Sequence, residues 1–344
     1  LSPTPRELVL AQLDHQETAY VPYALGFEGD VMERLDAHYG TTTWRDRVDN
    51  HIRGVAGADL GTPAYRDEPL VTDLHGNVWR ADRRPVHLEK PVLAEASLDG
   101  YAFPSLDQVF PAGWLERSRQ AANDLRQRYY VVAGIGFGLF ERTWTLRGFN
   151  DALMDAAAEP DFYDELVGRI HEHQMQILAV LMDLPIDGIR FSDDWGYQRG
   201  VLLGDERWRR FIKPRLAEQY ALVHRAGKHA LSHCCGNVAS LLPDLIEIGL
   251  DCLESVQPEA MDPYELKKRY GDKMAFWGGL GSQSTIPWGT PAEIHAEVER
   301  LCREMGRGGG YILGPAKAIQ PETSTENAAA VVEAFLAQAG QTVP

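Results

Sequence analysis

The residues best equipped for chemistry lie in one short stretch, Leu231-Ser232-His233-Cys234-Cys235-Gly236-Asn237. An imidazole and a thiol two positions apart leave an extended chain on the same side, so His233 and Cys235 can reach one ion. Nitrogen and sulfur together suit zinc, whereas magnesium and calcium take oxygen ligands. Two ligands do not close a tetrahedral shell, so a third is needed. Cys252 and Glu254 alternate onto one face of the next apolar run; Glu254 is the expected third ligand, with Asp194 behind it. The competing reading of these residues is packing, because a free cysteine behaves as a small hydrophobe. Cys302, inside a helical pattern, is read that way. His171 and His173, two apart on an expected helix, fall on different faces and do not form a metal pair.

Groups scattered this widely along a chain converge only if many elements end at a common rim. Apolar runs at 20–26, 54–59, 130–136, 187–191, 228–233, 250–256, 274–278 and 311–313 read as strands. Helical patterns at 115–128, 144–158, 161–184, 205–226, 238–248, 264–269, 291–305 and 325–338 separate the later ones, several closed by glycine. This alternation predicts an α/β protein, a (β/α)8 TIM barrel forming one domain over 1–344. A helix at 6–16 gives it an N-terminal helical extension, and alternation on either side of Gly76-Asn77 predicts an inserted β-hairpin within 71–93. The turn Gly134-Ile135-Gly136-Phe137-Gly138 lacks the full glycine spacing of a dinucleotide loop.

In such a barrel the active site sits at the C-terminal ends of the strands. Asp193, Asp194, Gln198, Glu254 and Gln257 fall there as candidate catalytic residues, alongside His233 and Cys235. Gln283, Lys317 and Gln320 follow the last two strands and are candidate substrate contacts, together with Arg142, Arg147 and Arg199, whose planar guanidinium groups pair with carboxylates. Each has a plain alternative as a turn cap, a surface ion pair or a satisfied polar group.

Composition narrows the partners. The 344 residues carry a formal net charge of -16 with no basic run, which excludes a phosphate backbone as the expected ligand. No apolar run approaches the roughly 18 residues of a membrane span, and residues 1–6 show no secretory pattern, so the cytoplasm is the expected compartment. Four cysteines, two of them adjacent, read as thiols rather than disulfides.

Four stretches, Phe140-Glu141-Arg142-Thr143-Trp144-Thr145-Leu146-Arg147-Gly148, Ser192-Asp193-Asp194-Trp195-Gly196, His233-Cys234-Cys235-Gly236-Asn237 and Gly308-Gly309-Gly310-Tyr311-Ile312-Leu313-Gly314-Pro315 running on to Asn327, resemble the uroporphyrinogen decarboxylase superfamily over nearly the whole chain. The resemblance implies a (β/α)8 barrel. It also implies either a cofactor-free decarboxylase or a zinc-dependent methyltransferase that moves a methyl group from a corrinoid to a thiol. His233, Cys235 and Gly236 look like the methyltransferase branch, in which the His-Cys pair binds zinc. Lys317 stands where that branch has a further cysteine, and residues 21–28 are not the arginine-rich motif of the decarboxylases. The expected activity is therefore methyl transfer or demethylation between a corrinoid such as methylcobalamin, or a corrinoid protein, and a thiol-type small molecule. The alternatives are a metal-free decarboxylase or lyase acting on a carboxylate, and a barrel that binds a corrinoid or a partner protein without turnover.

Overall fold

The computed structural model describes residues 2–55, 65, 67–83 and 85–343. Seven strands form one parallel, curled sheet: β1 (Ile52–Gly54), β5 (Tyr130–Ile135), β6 (Gly188–Ser192), β9 (His229–His233), β10 (Cys252–Val256), β11 (Ala275–Leu280) and β12 (Tyr311–Pro315), paired in that order. β10 and β11 are buried at every position, because a parallel sheet flanked by helices faces apolar surroundings on both sides. The sequence of β11 accordingly reads as a continuous apolar run, whereas β10 carries Glu254 and Ser255 in its middle.

The expected strand at 20–26 is not regular. Proline at position 22 has no N–H to donate, and the segment makes isolated parallel bridges from Tyr23 to Leu313 and from Phe27 to Ile319. Its backbone nevertheless reaches both edges of the sheet: Ala24 N donates to Leu313 O at 3.0 Å, and Tyr23 O accepts from His51 N at 3.0 Å. The expected strand at 54–59 begins earlier, at Ile52, and its residues from 56 onward lie outside the described residues.

Three of the expected helices are divided, that at 238–248 into a 3-10 turn, Ala239–Leu241, and the helix Leu242–Glu247. The pattern at 144–158 belongs to two helices, Leu139–Arg147 and Phe149–Ala158, separated by Gly148 at φ 92°. The pattern at 205–226 contains a wide turn, Trp208–Ile212, just before Pro214, which has no N–H to return to the carbonyl one turn back.

The inserted hairpin is a three-stranded antiparallel sheet: β2 (Leu70–Thr72), β3 (Val78–Arg80) and β4 (His87–Lys90). Asp73 organises its first turn by accepting from the backbone N–H groups of His75 and Asn77, both at 2.9 Å, and from Trp79 Nε1 at 2.8 Å. Trp79 then stacks on Phe137, tying the insert to the loop after β5. A short hairpin, β7 (Gly196–Tyr197) with β8 (Gly200–Val201), rises after β6.

Val132, Leu231, Cys252, Ala275 and Ile312 pack together on the inner face of the curl, with Val9 and Leu13 of helix Pro5–Leu13 in the same cluster. The N-terminal extension thus packs on the inner face of the curl, and Cys252 is part of that packing. The polar side chains begin two residues further along the same faces.

Candidate metal centre

Strand register sets the site. Glu254 pairs with His233 on one side and Trp277 on the other, so these three stand level at the C-terminal ends of β9, β10 and β11. Beyond His233 the chain turns sharply. Cys234 N donates to Glu254 O at 2.8 Å, and its buried thiol accepts from Trp195 N, which makes Cys234 a core residue. Cys235 N donates to Asp194 Oδ1 at 2.8 Å. Gly236 follows at φ 79°, with the backbone of Gly196 so close that an added Cβ would lie 2.5 Å from the Gly196 carbonyl carbon. Only glycine meets both demands. Asn237 closes the turn by donating from its side chain to Ala260 O at 2.9 Å.

This turn brings three unlike donors together. His233 Nε2 lies 3.4 Å from Cys235 Sγ and 3.7 Å from Asp194 Oδ1, and all three ligand atoms fall within 4.8 Å of one another. Glu254 is on the other side of the ring, its Oε1 3.5 Å from His233 Nδ1. Its carboxylate is also gripped at both oxygens by Arg190, with Nη2 to Oε1 at 2.7 Å. The geometry therefore brings Asp194 to the imidazole–thiol pair, where the sequence had favoured Glu254. Burial opposes the charge on Glu254, yet Arg190 and His233 more than offset it and hold its pKa low. Burial also opposes a charged His233, but hydrogen bonds to Cys235 and Glu254 raise its pKa. An ion binding at Nε2 would displace that proton.

Asp193 turns the opposite way. Its carboxylate accepts from the N–H groups of Phe140 at 2.9 Å and Glu141 at 2.7 Å, and from Trp195 Nε1 at 2.6 Å. It thereby caps helix Leu139–Arg147 from across the loop. A Cβ on Gly138 would lie 2.5 Å from Asp193 Cβ, which accounts for the last glycine of the Gly-rich turn. Burial raises the pKa of Asp193, and burial together with Asp193 and Asp194 raises that of Glu141.

A chain of amides crosses the rim. Gln257 accepts from Gly236 N at 3.2 Å and donates to Gln198 at 3.2 Å; Gln198 in turn donates to Gln283 at 3.4 Å. Gln320 donates to Ala318 O at 2.8 Å within its own loop. The arginines do not converge on the cavity. Arg142 is buried over the Phe137 ring, Arg147 pairs with Asp155 at 2.8 Å and Asp151 at 3.2 Å, and Arg199 is exposed on the β7–β8 hairpin. A cavity of about 380 Å³ opens beside the cluster, lined by Arg190, His233, Glu254 and Trp277 and, opposite them, by Asn50 and Lys317. Trp277 and Asn50 escaped the sequence reading. The signal for Trp277 was its level register with Glu254; nothing local marked Asn50, which reaches the rim because its side chain pairs with both backbone groups of Leu25.

A parallel α/β sheet carrying a polar cluster at the C-terminal ends of its strands is the arrangement of barrel enzymes. Residues 81–337 match the family model described as Uroporphyrinogen decarboxylase (URO-D), and the chain belongs to that family. Among curated proteins it is 25% identical over 179 residues to a uroporphyrinogen decarboxylase of Coxiella burnetii, covering 51% of this chain and 47% of that one. It is 27% identical over 136 residues to the methylated-thiol–coenzyme M methyltransferase of Methanosarcina mazei, covering 39% of this chain and 34% of the relative. The matches thus span less than half the length of either relative. A solved methyltransferase from Methanosarcina mazei shares the fold, with a TM-score of 0.70, 20% identity and coverage of 97% of this chain and 98% of that one. Among the described residues no helix is long and apolar enough to cross a membrane.

Proposed function

We propose that this protein is a zinc-dependent methyltransferase or demethylase that moves a methyl group between a corrinoid, or a corrinoid protein, and a small thiol-type molecule. It would act as one barrel domain in which residues 22–24 serve as the eighth stave. The observation that carries the reading is the convergence of His233 Nε2, Cys235 Sγ and Asp194 Oδ1. One nitrogen, one sulfur and one carboxylate oxygen fit zinc and leave a fourth position for a substrate. Zinc bound there would lower the pKa of a thiol so that it is a thiolate near neutrality. The chain's own part is to hold the donors. Glu254 orients the imidazole through Nδ1, Arg190 holds Glu254, and Gly236 fixes the backbone beneath Cys235. The amide chain Gln257–Gln198–Gln283 positions the rim around the incoming methyl donor.

The decarboxylase alternative requires cations free to hold carboxylates. Among the described residues lining the cavity, Arg190 is committed to Glu254, leaving Lys317 as the uncommitted side-chain cation. This favours a substrate with few negative charges. Elemental analysis of protein purified without added metal tests the proposal, with Asp194→Ala, His233→Ala and Cys235→Ala variants alongside. Near-stoichiometric zinc in the parent, lost in all three variants, is the expected result. A parent that neither holds zinc nor takes it up on reconstitution would sink the reading, and carboxylate substrates would then be assayed for decarboxylation.

A further inference from the structure

In the turn Gly136-Phe137-Gly138 after β5 the residue with positive φ is not a glycine: Phe137 has φ 48°. A bulky side chain in the left-handed region is strained, because its Cβ crowds the following carbonyl oxygen, and it persists there only where its surroundings hold it. Here those surroundings are identifiable. Trp79 of the insert stacks on the Phe137 ring with centroids 5.8 Å apart, Trp144 meets it edge-on at 5.8 Å, and the Arg142 guanidinium lies 5.1 Å from its centroid. Gln174 Nε2 donates to Phe137 O at 3.0 Å, and Gln219 steadies Gln174 by donating to its Oε1 at 3.0 Å. Trp79 is itself buried, with its Nε1 fixed on Asp73.

The strained residue directs the loop that holds the two aspartates. Directly after it, Gly138 N donates to Ser192 O at 2.8 Å, and the N–H groups of Phe140 and Glu141 grip the Asp193 carboxylate. Asp194 follows and accepts from Cys235 N. A rotation of the Phe137 backbone therefore shifts the donors that fix Asp193, and Asp194 with it. We propose that Phe137, clamped by Trp79, is a positioning residue for Asp194: the inserted sheet holds a strained turn in place and so keeps the carboxylate beside the imidazole–thiol pair. The placement of Asp194 is independent of the methyltransferase reading; its consequence for zinc rests on it.

Phe137→Ala and Phe137→Gly separate this role from packing, since both remove the ring but only alanine keeps the strain. Hydrogen exchange, read by mass spectrometry in the segments of Phe140–Glu141 and Cys235, follows the loop without any metal. Chelator competition and the absorption spectrum of cobalt(II)-substituted protein follow the cluster. Phe137→Ala and Trp79→Ala are expected to exchange faster in both segments, to lose about tenfold or more in metal affinity, and to alter the cobalt spectrum. Phe137→Gly keeps the parent's protection and spectrum, and adding Trp79→Ala to it changes neither. Trp79→Phe, which keeps a ring over Phe137 but not the bond to Asp73, exchanges like the parent. The Phe137 pair carries the test even where Trp79→Ala does not fold. Equal losses in Phe137→Ala and Phe137→Gly would reduce the ring to packing and overturn the proposal, as would parent-like exchange in Phe137→Ala or Trp79→Ala. If exchange follows the expected pattern while the parent takes up neither zinc nor cobalt, the positioning stands and the methyltransferase reading falls.

Discussion

In the proposed centre Asp194 is the ligand and Glu254 orients the imidazole, and substituting each in turn separates the two roles. Glu254→Gln keeps the side-chain shape and one acceptor for Arg190 but removes the charge that faces His233 Nδ1 at 3.5 Å. Losing an outer partner of a metal-bound imidazole lowers metal affinity about 10- to 100-fold, which is about 1.4–2.7 kcal/mol. The folded state loses one charge-assisted hydrogen bond, about 1–3 kcal/mol, and Arg190, 36% exposed in its side chain, keeps access to water. Asp194→Ala removes a donor atom outright. Structural zinc binds with about 10–16 kcal/mol across four ligands, so one ligand is worth roughly 2.5–4 kcal/mol, or about 100- to 1,000-fold. Competition against a chromophoric chelator at fixed pH and ionic strength reads both. The expected order is parent, then Glu254→Gln, then Asp194→Ala, with stoichiometry near one retained in Glu254→Gln. If Glu254→Gln abolishes binding while Asp194→Ala keeps the parent's affinity, Glu254 is the ligand and the reasoning from geometry is wrong.

Other outcomes follow from the same contacts. Gly236→Ala forces a side chain at φ 79° against the Gly196 backbone, costing about 1–3 kcal/mol, and should lower both the melting temperature and zinc affinity. Asp187, buried beneath the sheet, accepts from Arg6 and Arg126, both at 2.8 Å, and from Val131 N at 3.0 Å. Asp187→Asn should cost about 3 kcal/mol in urea unfolding at neutral pH. Burial raises the Asp187 pKa, but Arg6, Val131 and Arg126 lower it overall, so its stabilisation is present above the unfolded carboxyl pKa and is lost as pH falls through the folded one. Burial depresses His51 to about 4 and His75 to about 2. Unfolding exposes both to protons below about 6.5, so the stability they contribute falls as pH is lowered from 7 to 5. Burial raises the pKa of Asp193 and Glu141, so their contribution runs with the opposite sign. His75→Asn isolates the histidine part: its unfolding midpoint should change less between pH 7 and pH 5 than the parent's, and an identical slope would show that His75 is not buried neutral.

Most of the parallel strands could be read from the sequence because they are short, largely apolar runs buried on both faces, a pattern that survives without knowledge of its neighbours. Six of the eight expected runs coincide with paired strands; the run at 54–59 meets one only at Gly54, its residues from 56 onward lying outside the described residues, and the run at 20–26, which contains Pro22, makes isolated bridges instead. The His233–Cys235 pair was equally legible, because its logic is the period of a strand. Roles set by direction were not. Asp193 and Asp194 are adjacent, yet one caps a helix and the other meets the imidazole–thiol pair; only the course of the loop past Gly138 and Gly236 decides which. Glu254, the expected third ligand, faces the other side of the imidazole ring for a related reason. Alternation correctly put it on the inner face, but the same alternation put Arg190 there too, two strands away, and an arginine in reach of a buried carboxylate claims both of its oxygens. A sequence states which face a residue takes, whereas the competition among residues that share the face is settled by register. Here that competition leaves Asp194 beside the imidazole–thiol pair and Glu254 on the far side of the ring, held by Arg190.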